Sequence, residues 1–382
     1  MKKISLIFIF LLFTLQISFS QSCLPQGIDF NSQAEIDNFQ TNYPNCTEIE
    51  GDVEIYGDDI SNLNGLNNLV SIGGELLIGY EEDNNWPINP LLYNLNGLDN
   101  LTTIGGRLFI IDNDVLNSLS GLQSLSSIGG SLVIGLNANL TDISALNSLT
   151  HIQNTLELAY NYSLTSLMGL HNVTSIGGSL FILACPIYNL DDFINLINIG
   201  GGIWLFENHN LLNINALINI TAAVGISIHS NSNLSSLSGL DNINAESIQN
   251  IYIINNNSLS ECEVTSICNY ITNTNEDIDL YNNASGCNNI EEVEQACITG
   301  SQELKAEFLV SIYPNPASKE LFISTAINQP AQEVCIYDQL GKIVLDEKTL
   351  SNTIDISMLS KGVYIIEFIL NKEKSRMKLI IE

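Results

Sequence analysis

Residues 132–152 read LVIGLNANLTDISALNSLTHI, an apolar triplet followed by an asparagine and then by apolar residues three positions apart. The triplet at 132–134 predicts a strand that turns two side chains inward and one outward. Asn137 stands five positions after the strand start, and leucine or isoleucine follows at 140, 143, 146, 149 and 152. One such turn cannot bury its own apolar edge, so the stretch predicts a coil that depends on neighbouring coils.

The same pattern recurs along most of the chain. The ten strand-like starts are Val53, Leu76, Leu108, Leu132, Leu156, Leu180, Ile203, Ile226, Ile251 and Ile278. Subtracting successive numbers gives steps of 23, 32, 24, 24, 24, 23, 23, 25 and 27. A period in the twenties is typical of stacked repeats. We therefore predict a mainly β fold, a parallel β-helix or leucine-rich-repeat-like solenoid of about ten coils.

A column of polar residues stands five positions beyond the strand starts. Its members are Asp58, Glu81, Asn113, Asn137, Asn161, Cys185, Asn208, Asn231, Asn256 and Asn283. A buried asparagine at a corner can bond backbone groups of its own coil and the next. We interpret the column as a structural ladder and Cys185 as a buried thiol rather than a nucleophile. The Ile-Gly-Gly sequences, as at Ile128, predict turns just before the strands.

The N-terminus predicts an export signal at residues 1–20, with Lys2 and Lys3 before an apolar run from Ile4 to about Phe13. That run is too short to span a membrane, and no other segment approaches about 20 apolar residues. Removing the two lysines from 12 basic residues leaves 10 against 42 acidic residues, a formal charge of −32. Such a charge disfavours nucleic acid as a partner, because phosphates would be repelled.

The cysteines of an exported chain predict disulfides. We pair Cys23 with Cys46 as the staple of an N-terminal cap at residues 21–50. A C-terminal cap at 261–300 holds four more cysteines, for which three connectivities are open. They are Cys262, Cys268, Cys287 and Cys297. A zinc site is the alternative there, although the spacing lacks a CxxC pair. We expect neither a metal nor a cofactor.

The entry to the solenoid reads NCTEIEGDVEI at 45–55, followed by Leu-Asn-Gly-Leu at 63–66. This resembles the start of the receptor L domain of insulin- and epidermal-growth-factor-type receptors, a right-handed β-helix related to leucine-rich repeats. The resemblance covers about residues 40–260 and implies a right-handed solenoid over 51–260. We expect extracellular recognition to carry over. We do not expect growth-factor binding, because no kinase, transmembrane helix or furin-like region follows.

The tail, residues 311–382, begins SIYPNPA and continues as short alternating strands separated by turn residues. That pattern predicts a small β-sandwich. The segment is similar to the C-terminal sorting domain of the bacterial type IX secretion system. The resemblance implies export by that machinery in a Bacteroidetes-type bacterium, removal of the tail at a linker over 301–310, and a protein released or fixed to surface glycolipid.

The outward residue of each strand suggests a ligand-binding stripe. Six of the ten outward residues are apolar or aromatic: Leu77, Phe109, Val133, Phe181, Trp204 and Tyr252. Because a solvated face should be polar, we expect this column to meet a ligand. The 32-residue step holds an insertion at about 81–93, and its Trp86 is a further candidate.

Catalytic candidates are sparse. The four histidines, as at His151 and His229, fall at different offsets in their repeats, and no Gly-x-Ser-x-Gly motif occurs. We therefore interpret the protein as a non-catalytic recognition or adhesion module that binds an extracellular protein or a glycan. Two alternatives stay open. One is a polysaccharide-active enzyme with carboxylates on separate coils, and the other is a structural surface-layer component.

Overall fold

The structure is a computed structural model with two compact units, residues 1–293 and 294–382. It describes residues 21–79, 89–273, 277–307, 310–313, 315, 317–325, 333–338, 341–347, 353–370 and 373–381. The predicted signal peptide, residues 1–20, lies outside the described residues. The division at 293 falls inside the predicted C-terminal cap, 261–300.

The long sheet of the first unit has eleven parallel strands. They are Ile28–Phe30, Val53–Ile55, Leu76–Ile78, Leu108–Ile111, Leu132–Gly135, Leu156–Ala159, Leu180–Leu183, Ile203–Phe206, Gly225–His229, Asn250–Ile254 and Ile278–Tyr281. Equivalent residues pair, so that Leu132 lies between Leu108 and Leu156. The predicted solenoid is confirmed. The N-terminal segment adds one strand, Ile28–Phe30, which pairs with Val53–Ile55.

A second parallel sheet of eight short strands lies on another side of the solenoid and ends at Asn198–Ile199. Its strands are Ser22–Cys23, Glu48–Ile49, Ser71–Ile72, Thr103–Ile104, Ser127–Ile128, His151–Ile152, Ser175–Ile176 and Asn198–Ile199. The Ile-Gly-Gly sequences were predicted as turns alone, and that prediction missed the strand before each glycine. The glycines follow because coils approach closely there: a Cβ on Gly129 would lie 2.0 Å from the Gly105 carbonyl oxygen.

The core is a repeated cross-section of aliphatic side chains. In one coil the inward residues are Leu132, Ile134, Leu140, Ile143, Leu146, Leu149 and Ile152, all at most 1% exposed. Short 3-10 helices follow strands of the long sheet at Asn64–Leu66, Ser144–Ser148, Asp191–Phe193, Asn215–Asn219, Ser238–Leu240 and Ala245–Ser247. A 3-10 helix has three residues per turn, so leucines three positions apart all face inward.

The N-terminal end of the solenoid is closed by two short helices and a disulfide. The helices Gln33–Asp37 and Phe39–Asn42 bury Ile36 and Phe39 completely. Cys23 and Cys46 are disulfide-bonded, as predicted. Apolar side chains from outside the repeat therefore cover the first coil.

The C-terminal end carries the helices Thr265–Asn273 and Ile290–Glu307. Cys262 pairs with Cys287. Cys268 and Cys297 are also disulfide-bonded. All four cysteines are thus in disulfides and not in a zinc site. The last helix runs through Glu307 and so extends into the predicted linker at 301–310. This stretch contains Gln, Glu, Leu, Lys and Ala, which favour helix.

The second unit contains two antiparallel sheets. One has the strands Val310–Tyr313, Glu320–Thr325 and Thr353–Asp355, and the other has Glu333–Tyr337, Ile343–Glu347, Gly362–Leu370 and Glu373–Ile381. Both sheets contribute to one buried cluster that includes Leu321, Ile354, Ile366 and Phe368. The predicted small β-sandwich is confirmed.

Candidate functional site

The predicted outward stripe forms one continuous column across the long sheet. In sheet order the paired residues are Asp29, Glu54, Leu77, Phe109, Val133, Glu157, Phe181, Trp204, Ser227, Tyr252 and Asp279. The structure thus brings all six strand residues of the predicted stripe onto one face. Glu157 and Ser227 divide the column into apolar groups, and carboxylates stand at both ends. Trp86 lies outside the described residues.

A second outward column runs two residues further along the strands. It contains Ile111, Gly135, Ala159, Leu183, Phe206, His229, Ile254 and Tyr281. These residues were not predicted, because the strands were taken as apolar triplets, whereas most have four or five residues. The signal was present as an apolar residue at the fourth position in Ile111, Leu183 and Phe206. We call the two columns together the strand face.

An aromatic cluster occupies the centre of the strand face. The Phe181 ring lies 5.9 Å from the Trp204 ring and 5.5 Å from the Phe206 ring, in both cases edge to face. The Phe206 ring lies 5.1 Å from the His229 imidazole. Edge-to-face pairs each contribute about 0.5–1.5 kcal/mol beyond their buried area. Trp204 is nevertheless 40% exposed, so the cluster presents apolar surface to solvent.

Other parts of the predicted stripe are covered by neighbouring side chains. The Arg107 guanidinium lies 5.5 Å from the centroid of the Phe109 ring. It also donates two hydrogen bonds, each of 2.8 Å, to the Glu75 carboxylate. Val133 is only 7% exposed. The Tyr252 hydroxyl donates to Asp277 at 2.8 Å, which raises the pKa of the tyrosine. The exposed aromatic residues of the strand face are Trp204, at 40%, and Tyr281 at its C-terminal end, at 46%, and Trp204 is the one that belongs to the aromatic cluster.

His229 keeps the aromatic cluster neutral near pH 7. Partial burial lowers the pKa of this imidazole below its ordinary value of 6.5. Its Nε2 atom lies 3.2 Å from the Ser227 hydroxyl. A neutral imidazole beside Phe206 adds no formal charge to the aromatic cluster, and Glu157, paired with Phe181, is the neighbouring carboxylate of the column.

The asparagine ladder runs along one corner of the solenoid. The Asn137 amide donates to the carbonyls of Gly135 in its own coil, at 2.8 Å, and of Ile110 in the preceding coil, at 2.9 Å. Its oxygen accepts from the Asn113 backbone amide at 3.1 Å. Equivalent bonds to the preceding coil are made by Asn161, Asn208, Asn231, Asn256 and Asn283. These side chains satisfy backbone groups that the corner removes from water.

The ladder position in the insertion-bearing coil is Asn89 rather than Glu81. Asn89 is fully buried, donates to the Ile55 carbonyl at 3.0 Å and accepts from the Gly57 amide at 3.1 Å. Counting five residues from the strand start missed it because the insertion precedes the corner. Glu81 lies outside the described residues, and Asp58 is exposed rather than buried.

Cys185 fills a ladder position with a thiol. It is 1% exposed, and its Sγ atom lies 3.5 Å from the Leu183 carbonyl oxygen. Burial raises its pKa to about 11, so the thiol is protonated at neutral pH. This agrees with the interpretation of Cys185 as a buried structural residue.

Candidate catalytic groups are not gathered at one place. His151 bonds Ser175 and Gln153, whereas His209, three coils further on, lies 3.4 Å from the Ser232 hydroxyl of the next coil. In the described ranges no three His, Cys, Asp or Glu side chains are placed to hold a metal ion together. The strand face is thus the most extended candidate surface on the first unit.

Comparison with known proteins identifies the tail. Residues 311–382 match the family model described as a secretion system C-terminal sorting domain. No curated protein matches the chain. Within the described part, no helix has the length and apolar character needed to cross a membrane. The chain therefore carries a sorting domain that interacts with the secretion machinery, and it is a secreted or cell-surface protein.

Proposed function

We propose that the solenoid is a non-catalytic recognition or adhesion module of the receptor L-domain or leucine-rich-repeat kind. It binds an extracellular protein or a glycan through the strand face. The observation that supports this proposal is the solvent-exposed aromatic cluster around Trp204, at the centre of a face that runs the length of the solenoid. The sorting domain supports it further, because it directs the protein to where such partners are found.

Rigidity and apolar area both favour binding at the aromatic cluster. Parallel strands in register hold Phe181, Trp204 and Phe206 on fixed neighbouring backbones. A ligand that covers these rings gains the apolar contribution, about 25 cal/mol per Å² buried, without ordering a loop. Interface residues that dominate affinity are commonly aromatic and lie near the centre of the contact.

The double substitution Phe181→Ala and Trp204→Ala tests the strand face. Mature full-length protein is probed on an array of glycans and matrix proteins. We expect the doubly substituted protein to lose at least about tenfold in affinity for the retained ligand, since two central aromatic anchors are removed. Melting should fall by only a few degrees, because both side chains stand outside the core and the two lost edge-to-face pairs contribute about 1–3 kcal/mol together.

Leu212→Ala is the matched control, since Leu212 is 50% exposed and does not belong to the strand face. Its affinity should equal that of the unsubstituted protein. Full retention by the double variant would contradict the proposal, and so would a large fall in melting temperature. Conversion of a retained glycan into products would instead support the polysaccharide-active enzyme.

A further inference from the structure

A groove of about 320 Å³ lies beside the asparagine ladder, outside the strand face. Its lining residues are Tyr160, Tyr162, Ala184, Cys185, Pro186, Glu207, His209 and Asn210. The volume is at the lower end of the range for small-molecule sites, roughly 300–1,000 Å³.

The groove arises from a step in side-chain size across three successive coils. The residues just before and just after each ladder position stand at the solvent edge of the corner. Tyr160 and Tyr162 flank it in one coil, whereas Glu207 and His209 flank it two coils further on. Between them the middle coil has only Ala184 and Pro186, so it forms a floor. Walls two coils apart are separated by about 9.6 Å at the backbone, twice the strand spacing.

The backbone that carries both walls is fixed. Tyr160 and Glu207 have φ of 56° and 55°, and each N–H continues the strand pairing by one residue. The Tyr160 amide donates to the Leu183 carbonyl at 2.8 Å, and the Glu207 amide donates to the His229 carbonyl at 2.9 Å. The groove is therefore already formed in the free protein, so binding need not order it.

The chemistry of the two walls differs. On one side are the Tyr160 and Tyr162 rings, whose centroids are 6.2 Å apart and whose planes are inclined by 56°. Tyr162 is 61% exposed. On the other side are the Glu207 carboxylate, the His209 imidazole and the Asn210 amide. Within the described ranges neither tyrosine hydroxyl nor the Glu207 carboxylate forms a side-chain hydrogen bond, so these groups are available to a ligand.

We propose that this groove binds a neutral sugar ring of a glycan. A pyranose has an apolar C–H face that packs on tyrosine rings and an edge of hydroxyl groups that bonds carboxylate, imidazole and amide. An anionic ligand is disfavoured by the Glu207 carboxylate and by the net charge of the protein. That formal charge is −30 for the full sequence and −32 without Lys2 and Lys3. The site does not depend on the strand face.

The test titrates mature full-length protein with methyl glycosides of neutral hexoses and N-acetylhexosamines, followed by saturation-transfer NMR and calorimetry. We expect at least one glycoside to bind. Tyr162→Ala should weaken that binding at least tenfold, and Glu207→Gln should weaken it while preserving the shape of the wall. Unchanged melting of both variants shows that they are folded. Tyr188→Ala is the control, since Tyr188 is 51% exposed and does not line the groove.

The proposal is overturned if no glycoside binds, or if Tyr162→Ala and Glu207→Gln bind as tightly as the unsubstituted protein. Trp204→Ala separates this site from the strand face. Glycoside binding that is lost with Trp204→Ala and kept with Tyr162→Ala would assign the sugar to the strand face and refute the groove. If the groove does not bind a sugar, the array experiment on the strand face still tests that proposal separately.

Discussion

At the scale of single residues, the asparagine ladder shows how a tight corner stays hydrogen-bonded without water. Each buried amide replaces bonds that the backbone would otherwise make to solvent, and an unsatisfied buried group costs about 1–3 kcal/mol. Cys185 interrupts the series, because its sulfur is a weak acceptor for the Asn161 backbone and side-chain amides that face it. Hydrogen bonding along the ladder is therefore weaker at Cys185 than at the asparagines.

A reciprocal pair of substitutions tests the ladder. We expect Cys185→Asn to raise the free energy of unfolding by about 1–2 kcal/mol, since an amide oxygen replaces sulfur as acceptor. Asn137→Ala should lower it by about 3 kcal/mol or more, because the Asn113 amide and the Ile110 carbonyl lose their partner. Urea unfolding followed by circular dichroism measures both.

Asn147→Ala serves as the control, since Asn147 is exposed, and its stability should change by less than about 0.5 kcal/mol. An Asn137→Ala protein as stable as the control would show that the ladder contributes little. Most ladder residues were predictable from a fixed offset to the strand start. Asn89 was not predictable, because the insertion changes the number of residues between the strand start and the corner. The corner still needs an asparagine there to bond its backbone groups.

At the scale of elements, the segment between the two sheets follows local backbone geometry. In the Leu-x-Gly-Leu sequences Gly121 has φ of 116°, and a Cβ there would lie 2.0 Å from the Leu95 carbonyl oxygen. Other coils have alanine at the equivalent position, as at Ala145, inside the 3-10 helix Ser144–Ser148. Glycine also occurs inside 3-10 helices, at Gly65 and Gly239, where a Cβ would lie 1.9 Å from a backbone carbonyl oxygen. Close approach of neighbouring backbone therefore requires glycine even where φ does not.

Gly121→Ala should destabilise the protein by at least about 2 kcal/mol, because the new methyl group meets backbone and the φ value disfavours L residues. Ala145→Gly is the converse control and should cost only about 1 kcal/mol, from lost helix propensity. Calorimetric melting compares the two proteins. Equal melting temperatures would contradict the assignment of Gly121 as sterically required.

The elements differ in how visible they are in the sequence. The long sheet was predictable because each strand alternates and is followed by leucines at fixed spacing. The second sheet was not, because two residues such as Ser127–Ile128 cannot show alternation. The residues at the fourth position of each strand, including Phe206, were missed for a related reason. Where a strand ends depends on its pairing with neighbouring strands, and the sequence does not show that pairing.

At the scale of the whole molecule, the solenoid is quasi-one-dimensional, so its stability depends on its ends. Each coil contacts mainly its neighbours, and a terminal coil has a neighbour on one side only. The Cys23–Cys46 disulfide closes 23 residues of sequence at the N-terminal end. A loop of that size corresponds to about 3 kcal/mol in the chain-entropy model.

Removal of that disulfide should affect the first coils selectively. In the variant Cys23→Ser with Cys46→Ser, we expect hydrogen exchange to accelerate at least tenfold in the strands Ile28–Phe30 and Val53–Ile55. The strand Leu156–Ala159 should keep its protection, because local opening at one end need not spread. Hydrogen exchange with mass spectrometry resolves these segments. Uniform loss of protection along the solenoid would refute this one-dimensional description.

The pairing of equivalent residues has a consequence for how such a gene can evolve. Loss of residues 132–155 by recombination would bring Leu108 against Leu156, two residues that already share Leu132 as a partner. Whole repeats can thus be gained or lost without a new type of contact, and each changes the molecule's reach by about 4.8 Å. Selection for a longer or shorter solenoid can therefore act on the number of repeats, while the sequence of each remaining repeat stays unchanged.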